Sequence, residues 1–126
     1  MKVMKSIDVE DVIRRSLSTS LKNVYVRPLP ASYSTPCLLI QQVGGTELNT
    51  IDTFDVTIDS RAEFPEDASE LLRTAIATLK KVAKEQTTEI RYVEVNSSGS
   101  WGRDPVRPDL EMMSARVRVV VHQTDF

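Results

Sequence analysis

The sequence predicts a single α+β domain, in the order α-β-β-β-α-β-β, with two helices packed on one face of a mostly antiparallel sheet. Three observations lead there. Residues 65–83 carry a sustained helical stripe of apolar side chains. Phe54, Val56 and Ile58 alternate with Asp55, Thr57 and Asp59, the period of a half-buried strand. The length, 126 residues, is one domain's worth of chain, enough for one modest core.

Val9, Val12, Ile13, Leu17 and Leu21 open the chain with one stripe of an amphipathic helix. Ser6 or Asp8 can cap it, and Asp8, Glu10 and Asp11 suit its positive end. Asn23 breaks the pattern and Val24-Tyr25-Val26 starts an extended piece. Pro28, Pro30 and Pro36 then mark a loop. Cys37 to Ile40, continuing to Val43, reads as a mostly buried strand; Gly44-Gly45 is expected to end it with a turn, followed by a polar stretch to about Asn49. The Phe54–Ile58 strand comes next. Pro65 then suits a helix's first turn, and Ala68, Leu71, Leu72, Ala75, Ile76, Leu79, Val82 and Ala83 form its buried side. Ile90 to Val95 reads as a strand that Asn96-Ser97-Ser98-Gly99-Ser100 should end, leaving a long loop from Asn96 to Asp109. The closing strand sets Ala115, Val117, Val119 and Val121 against Arg116, Arg118, Val120 and His122.

Composition bounds the function. Sixteen basic against eighteen acidic residues give a net charge of −2, which does not favour a generic nucleic-acid binder. An apolar fraction of 40% is too high for a disordered chain. No apolar run approaches the ~18–20 residues of a membrane span. Met1-Lys2-Val3-Met4-Lys5 is followed by no apolar segment of a secretion signal, so a soluble domain made inside the cell is expected.

Catalytic hardware is scarce. The single Cys37 sits in an apolar run, where an inert buried thiol is the expectation, and the single His122 falls on an outer strand face. Asp52, Asp55 and Asp59 do not follow a calcium-loop pattern, and Gly44-Gly45 lacks the Lys and Ser of a phosphate loop. No catalytic, cofactor-binding or metal-ligating residue is assigned, and the chain is expected not to be an enzyme.

Charge is instead distributed in blocks. Glu47 to Glu70 holds eight acids and one base, Arg61, a net −7, whereas residues 1–30 carry six basic and three acidic side chains. The block is either a solvated face with helix capping or an electrostatic patch for a partner. Asp55 and Asp59 point one way from their strand, and Arg116 and Arg118 one way from theirs. Neighbouring strands would make these cross-strand pairs within one chain; strands lying apart would let them meet between subunits. Trp101 either anchors its loop on the core or, with Arg103 two residues away, anchors an interface.

Taken in order, the features resemble a family. The first helix ends in Asn23-Val24-Tyr25-Val26 and a proline-marked loop. Pro36-Cys37-Leu38-Leu39-Ile40-Gln41-Gln42-Val43-Gly44-Gly45 follows, then Asp52-Thr53-Phe54-Asp55-Val56, the helix from Pro65, the Trp101-Gly102-Arg103-Asp104-Pro105 segment and the valine strand. This order is similar to the tail terminator (tail completion) proteins of long-tailed bacteriophages and prophages, over about Val9 to His122. One departure is Met112-Met113, where an aromatic residue would open the last strand.

The resemblance implies a structural virion protein, made in the bacterial cytoplasm. Such a protein forms a ring, typically hexameric, on the tail tube. The ring would stop tube polymerisation and offer a joint to the head-completion or neck protein, while DNA passes through its channel without specific binding. Its partners would be other copies of itself, the major tail tube protein and the neck protein; no membrane and no cofactor are implied. The residues expected at a subunit or partner interface are Asp52, Asp55, Asp59, Trp101, Arg103, Asp104, Arg116 and Arg118. Another small neck component, such as a head–tail joining or head-closure protein, is the alternative. A small ligand-binding domain or hydrolase is the third reading.

Overall fold

The computed structural model describes residues 7–47, 51–105 and 107–122. Its elements run α1 (Val9–Ser18), β1 (Val24–Val26), β2 (Cys37–Glu47), β3 (Ile51–Ala62), α2 (Pro65–Glu85), β4 (Ile90–Arg103) and β5 (Glu111–His122), the α-β-β-β-α-β-β order read from the sequence. The strands form one five-stranded sheet in the order β1-β2-β3-β5-β4. Only β1 and β2 run parallel; the other three pairings are antiparallel.

Both helices lie on the face that is apolar along the central strands β3 and β5. From β3 it receives Phe54, Val56 and Ile58, and from β5 Ala115, Val117, Val119 and Val121. α1 contributes Val9, Val12, Ile13 and Leu17, and α2 contributes Leu72, Ala75, Leu79 and Ala83 to the same cluster. Ala68, Ala75 and Ala83 alternate with Leu72 and Leu79 along the buried side of α2, and at ~1.5 Å per residue this helix crosses roughly 30 Å of the sheet. Burying a Val, Leu, Ile or Phe side chain is worth about 1.5–3 kcal/mol, so this layer dominates the stability.

The helix ends follow the sequence chemistry. Asp8 caps α1, its carboxylate accepting from the Asp11 amide at 3.2 Å; Ser6, the other candidate cap, lies outside the described residues. Arg14 and Arg15 both bond the Asp11 carboxylate and hold it below the usual carboxylate range, although these exposed pairs contribute little to stability. α1 stops at Ser18, and Leu21 follows it, partly buried against the core. α2 begins with Pro65 in its first turn and ends on Gln86 in the left-handed conformation, whose amide bonds the Val82 carbonyl.

Two expected breaks turn out to be strand. β2 does not turn at Gly44-Gly45 but continues to Glu47, with a register shift between Gln42 and Gly44 that leaves Val43 as the extra, exposed residue of a bulge. Gly45 takes φ +148°, and a Cβ there would stand 2.5 Å from the Thr53 carbonyl oxygen. Glycine is therefore required by the close approach of β3, not by a turn. Likewise β4 does not end at Asn96 but runs through Asn96–Ser100 to Arg103, held by β5 across register shifts at Ile90/Tyr92, Val95/Ser97 and Ser97/Ser100. The long loop expected from Asn96 shrinks to residues 104–110.

Candidate interaction surfaces and a loop-capped cavity

The sheet face away from the helices carries the charged ladder. β3 and β5 are neighbours, with Asp55 opposite Arg118 and Thr57 opposite Arg116. Arg118 Nε donates to Asp55 Oδ1 at 3.2 Å, the two side chains being 47% and 30% exposed. Glu94 of β4 stands on the other side of Arg118. Asp59 is opposite Ser114, not an arginine, and accepts its hydroxyl at 2.6 Å. Of the two arrangements left open by the sequence, the intrachain one holds for Asp55 and Arg118, and such a half-exposed pair is worth at most about 1 kcal/mol. Arg116 remains exposed.

Strand parity separates the other acid. Asp52 falls on the helix-facing row of β3 with Phe54 and is 1% exposed, so it does not share a surface with Asp55 and Asp59.

β4 forms one margin of the sheet, and among the described residues its outer side pairs with no strand. Trp101 lies on this strand, opposite Met113, and not in a loop as expected. Its side chain is 55% exposed, so it does not anchor the strand in the core; Tyr92, near the strand's other end, is 56% exposed. Arg103 is also open to solvent, with Glu111 at 4.0 Å.

At the end of the sheet near Cys37 and Arg61, the open face is capped. β1 and β2 are parallel, so the chain must cross over between them, and residues 27–36 make that crossing. The connection between β4 and β5 folds in beside it. Beneath them lie Cys37, Leu39, Arg61, Asp104 and Leu110, all buried.

Asp104 ties this cap together. Its Oδ2 accepts from Arg61 Nε at 2.9 Å and from the Tyr33 hydroxyl at 2.6 Å, while Oδ1 accepts from the Arg107 amide at 3.3 Å. The Arg107 guanidinium stands 5.4 Å from the centre of the Tyr33 ring. The side chains of Arg61 and Asp104 are only 9% and 5% exposed, so this is a buried ion pair. Burial and the hydrogen bond to Asp104 push the Tyr33 hydroxyl up to about 12. Burial pushes the Cys37 thiol up to about 11, the opposite of what a thiolate nucleophile needs.

Arg61 also lines a cavity of ≈ 380 Å³ between the crossing loop and the sheet, together with Leu29, Ala31, Leu39 and Tyr33. Its Nη1 is buried and has no hydrogen-bond partner among the described residues. Asp104, expected from the sequence at an interface, is instead 4% exposed and held by Arg61, and Arg61 was not expected at a site; the one available signal for it was a lone base in an acidic run. His122, partly exposed at the end of β5, donates its backbone amide to the Glu89 carbonyl. Among the described residues no cluster of His, Cys, Asp and Glu is arranged to hold a metal ion. Among them, too, no helix is long and apolar enough to cross a membrane.

Compared with known proteins, the chain matches no family model and no curated protein sequence.

Proposed function

We propose that this protein is a non-enzymatic assembly subunit of the tail-terminator kind, forming a ring, typically of six copies, on a phage tail tube. One observation carries the reading: the 14-residue strand β4 presents an edge that pairs with no strand among the described residues, with Trp101 and Tyr92 each more than half exposed. An open edge is a template for further pairing, and exposed aromatics are the usual anchors of protein interfaces. A contact between this margin and a different surface of the next copy is heterologous, the kind that closes into rings.

With Asp55 and Asp59 engaged inside the chain, Glu63 just before α2 and Glu66, Asp67 and Glu70 in its first turns are, among the described residues, exposed acids of the block. They suit a channel along which DNA slides without adhering. On this reading the ring's two ends meet the tube protein and the neck protein.

Native mass spectrometry and light scattering test the assembly. The expected species has six times the 14.2 kDa chain mass, and Trp101→Arg should dissociate it without unfolding the subunit. Monomer under every condition, together with normal-length tails in virions lacking the protein, would refute the ring. A ring unaffected by Trp101→Arg would remove β4 from the interface.

A further inference from the structure

We infer that the margin formed by β1 is the surface of the next copy that receives Trp101, in an antiparallel pairing of β4 with β1. The inference rests on the ring reading and names its joint. β1 and β4 are the two outer strands of the sheet, and among the described residues neither has a strand on its outer side. Pairing β4 with β4 would make a two-fold contact that is complete with two copies. A ring that uses β4 therefore needs a different surface opposite it.

Three features of the sheet single out β1. The first is direction. β1 runs with β2 and β5, while β3 and β4 run the other way. Rotation about an axis roughly along the strands preserves direction. β4 of one copy then meets β1 of the next antiparallel, the slightly more stable pairing.

The second is level. One row of the ladder runs from Val24 through Leu38, Ser60 and Met113 to Trp101. The next runs from Tyr25 through Leu39, Asp59 and Ser114 to Ser100. β1 thus stands at the height of Ser100–Arg103, a stretch of β4 that pairs with β5 without register shifts. Strand tilt in a closed ring slides the two margins by a few residues, which leaves Trp101 over β1 or the residues flanking it. Tyr92 is out of reach, because its partner Val120 is seven residues along β5 from Met113, about 24 Å.

The third is side. The Ser60 hydroxyl donates to the Ala68 carbonyl of α2 at 2.7 Å, so the Val24–Trp101 row looks toward the helices. Val24, Val26 and Leu21 pack there against the core but stay partly exposed, and Trp101 is 55% exposed. The indole of one copy covers this apolar strip of the next. Neither contacting stretch, Val24–Val26 or Ser100–Gly102, carries a charge or a proline of the kind that guards a strand edge.

Cysteine cross-linking tests the joint without touching Trp101. Lys22 and Arg103 are exposed and flank the contact, and Cys37 is buried. In the double variant Lys22→Cys/Arg103→Cys, a short bismaleimide should join chains into a denaturing-gel ladder reaching six, while each single variant stays as separate chains. A ring seen by light scattering without that ladder overturns the joint and leaves the ring reading intact. Monomer under every condition, tail tubes included, overturns both. Paired chains from Arg103→Cys alone assign β4 against β4 and overturn the joint.

Complementation is the second test. Trp101→Arg spoils one margin and Val24→Lys the other, so each folded variant alone should associate at least tenfold more weakly than the parent. Their equimolar mixture should form a pair through the one intact β4 and the one intact β1. A mixture that stays monomeric, or folded Val24→Lys assembling like the parent, overturns the assignment.

Discussion

Removing the Asp104 carboxylate should damage this fold far more than removing any other acid on the open face of the sheet. Asp104→Ala leaves the Arg61 guanidinium charged and buried, at 9% side-chain exposure, without its counter-ion. The same substitution strips the acceptor from the Tyr33 hydroxyl and the Arg107 amide. Breaking one side of a buried pair typically costs about 3–5 kcal/mol, because the abandoned charge has no water to turn to. Domains of this kind have about 5–15 kcal/mol in total, so roughly a fifth or more of the stability is at stake. With a urea slope of about 2 kcal/mol/M, the unfolding midpoint should fall by about 2 M. Asp55→Ala is the internal comparison: it removes a half-exposed pair and should shift the midpoint by no more than about 0.5 M. The double variant Arg61→Met/Asp104→Leu, which replaces both charges by apolar groups, should recover most of the loss. If Asp104→Ala lowers the midpoint no further than Asp55→Ala, the cap is not organised around this pair and the reasoning fails.

Three further outcomes are expected. Gly45→Ala should destabilise by about 1–3 kcal/mol, because the added Cβ meets the Thr53 carbonyl at 2.5 Å in a backbone conformation that L side chains avoid; unchanged thermal stability would contradict this close approach. Cys37 should resist alkylation in the native protein at pH 8 and react readily in denaturant, as followed by mass spectrometry, since it is fully buried and its thiol is held up to about 11. Stability should fall in alkali. Tyr33 and Cys37 both titrate higher in the fold, about 12 and about 11, than their ordinary values of 10.0 and 9.0. Their contribution is therefore complete below pH 9 and lost progressively as the pH rises toward 12; urea midpoints that stay level from pH 8.5 to 11.5 would refute it.

The parts of this fold that announce themselves in sequence are those whose period equals their burial. Phe54, Val56 and Ile58 face the helices as their alternation predicts, and of the α2 stripe Leu72, Ala75, Leu79 and Ala83 join the core while Leu71, Ile76 and Val82 pack against it partly buried. Failures occur where composition and context disagree. Gly44-Gly45 looks like punctuation, yet β3 pairs along the whole segment and holds it extended. Asn96–Ser100 lacks strand-forming side chains, yet β5 supplies partners that carry β4 through its bulges to Arg103. The cap was the least legible feature. Arg61 and Asp104 lie 43 positions apart, and nothing in the local pattern of either predicts that two loops will bury them together. The parity of Asp52 against Asp55 and Asp59, by contrast, was readable from the strand period alone.

The position of β5 bears on how the protein is made. It follows β4 in the chain but lies between β3 and β4 in the sheet. A nascent chain that has emerged only through Arg103 therefore has two long strands that are not neighbours in the finished sheet and a helix, α2, with an incomplete floor. Its valine-rich centrepiece is still inside the ribosome. Folding of this sheet must wait for the segment ending at His122, and until then β3 and β4 each expose a hydrogen-bonding margin to other nascent chains. Synthesis is thus a stage at which these strand margins are open to wrong partners, and a molecular chaperone able to shield unpaired strands would help then.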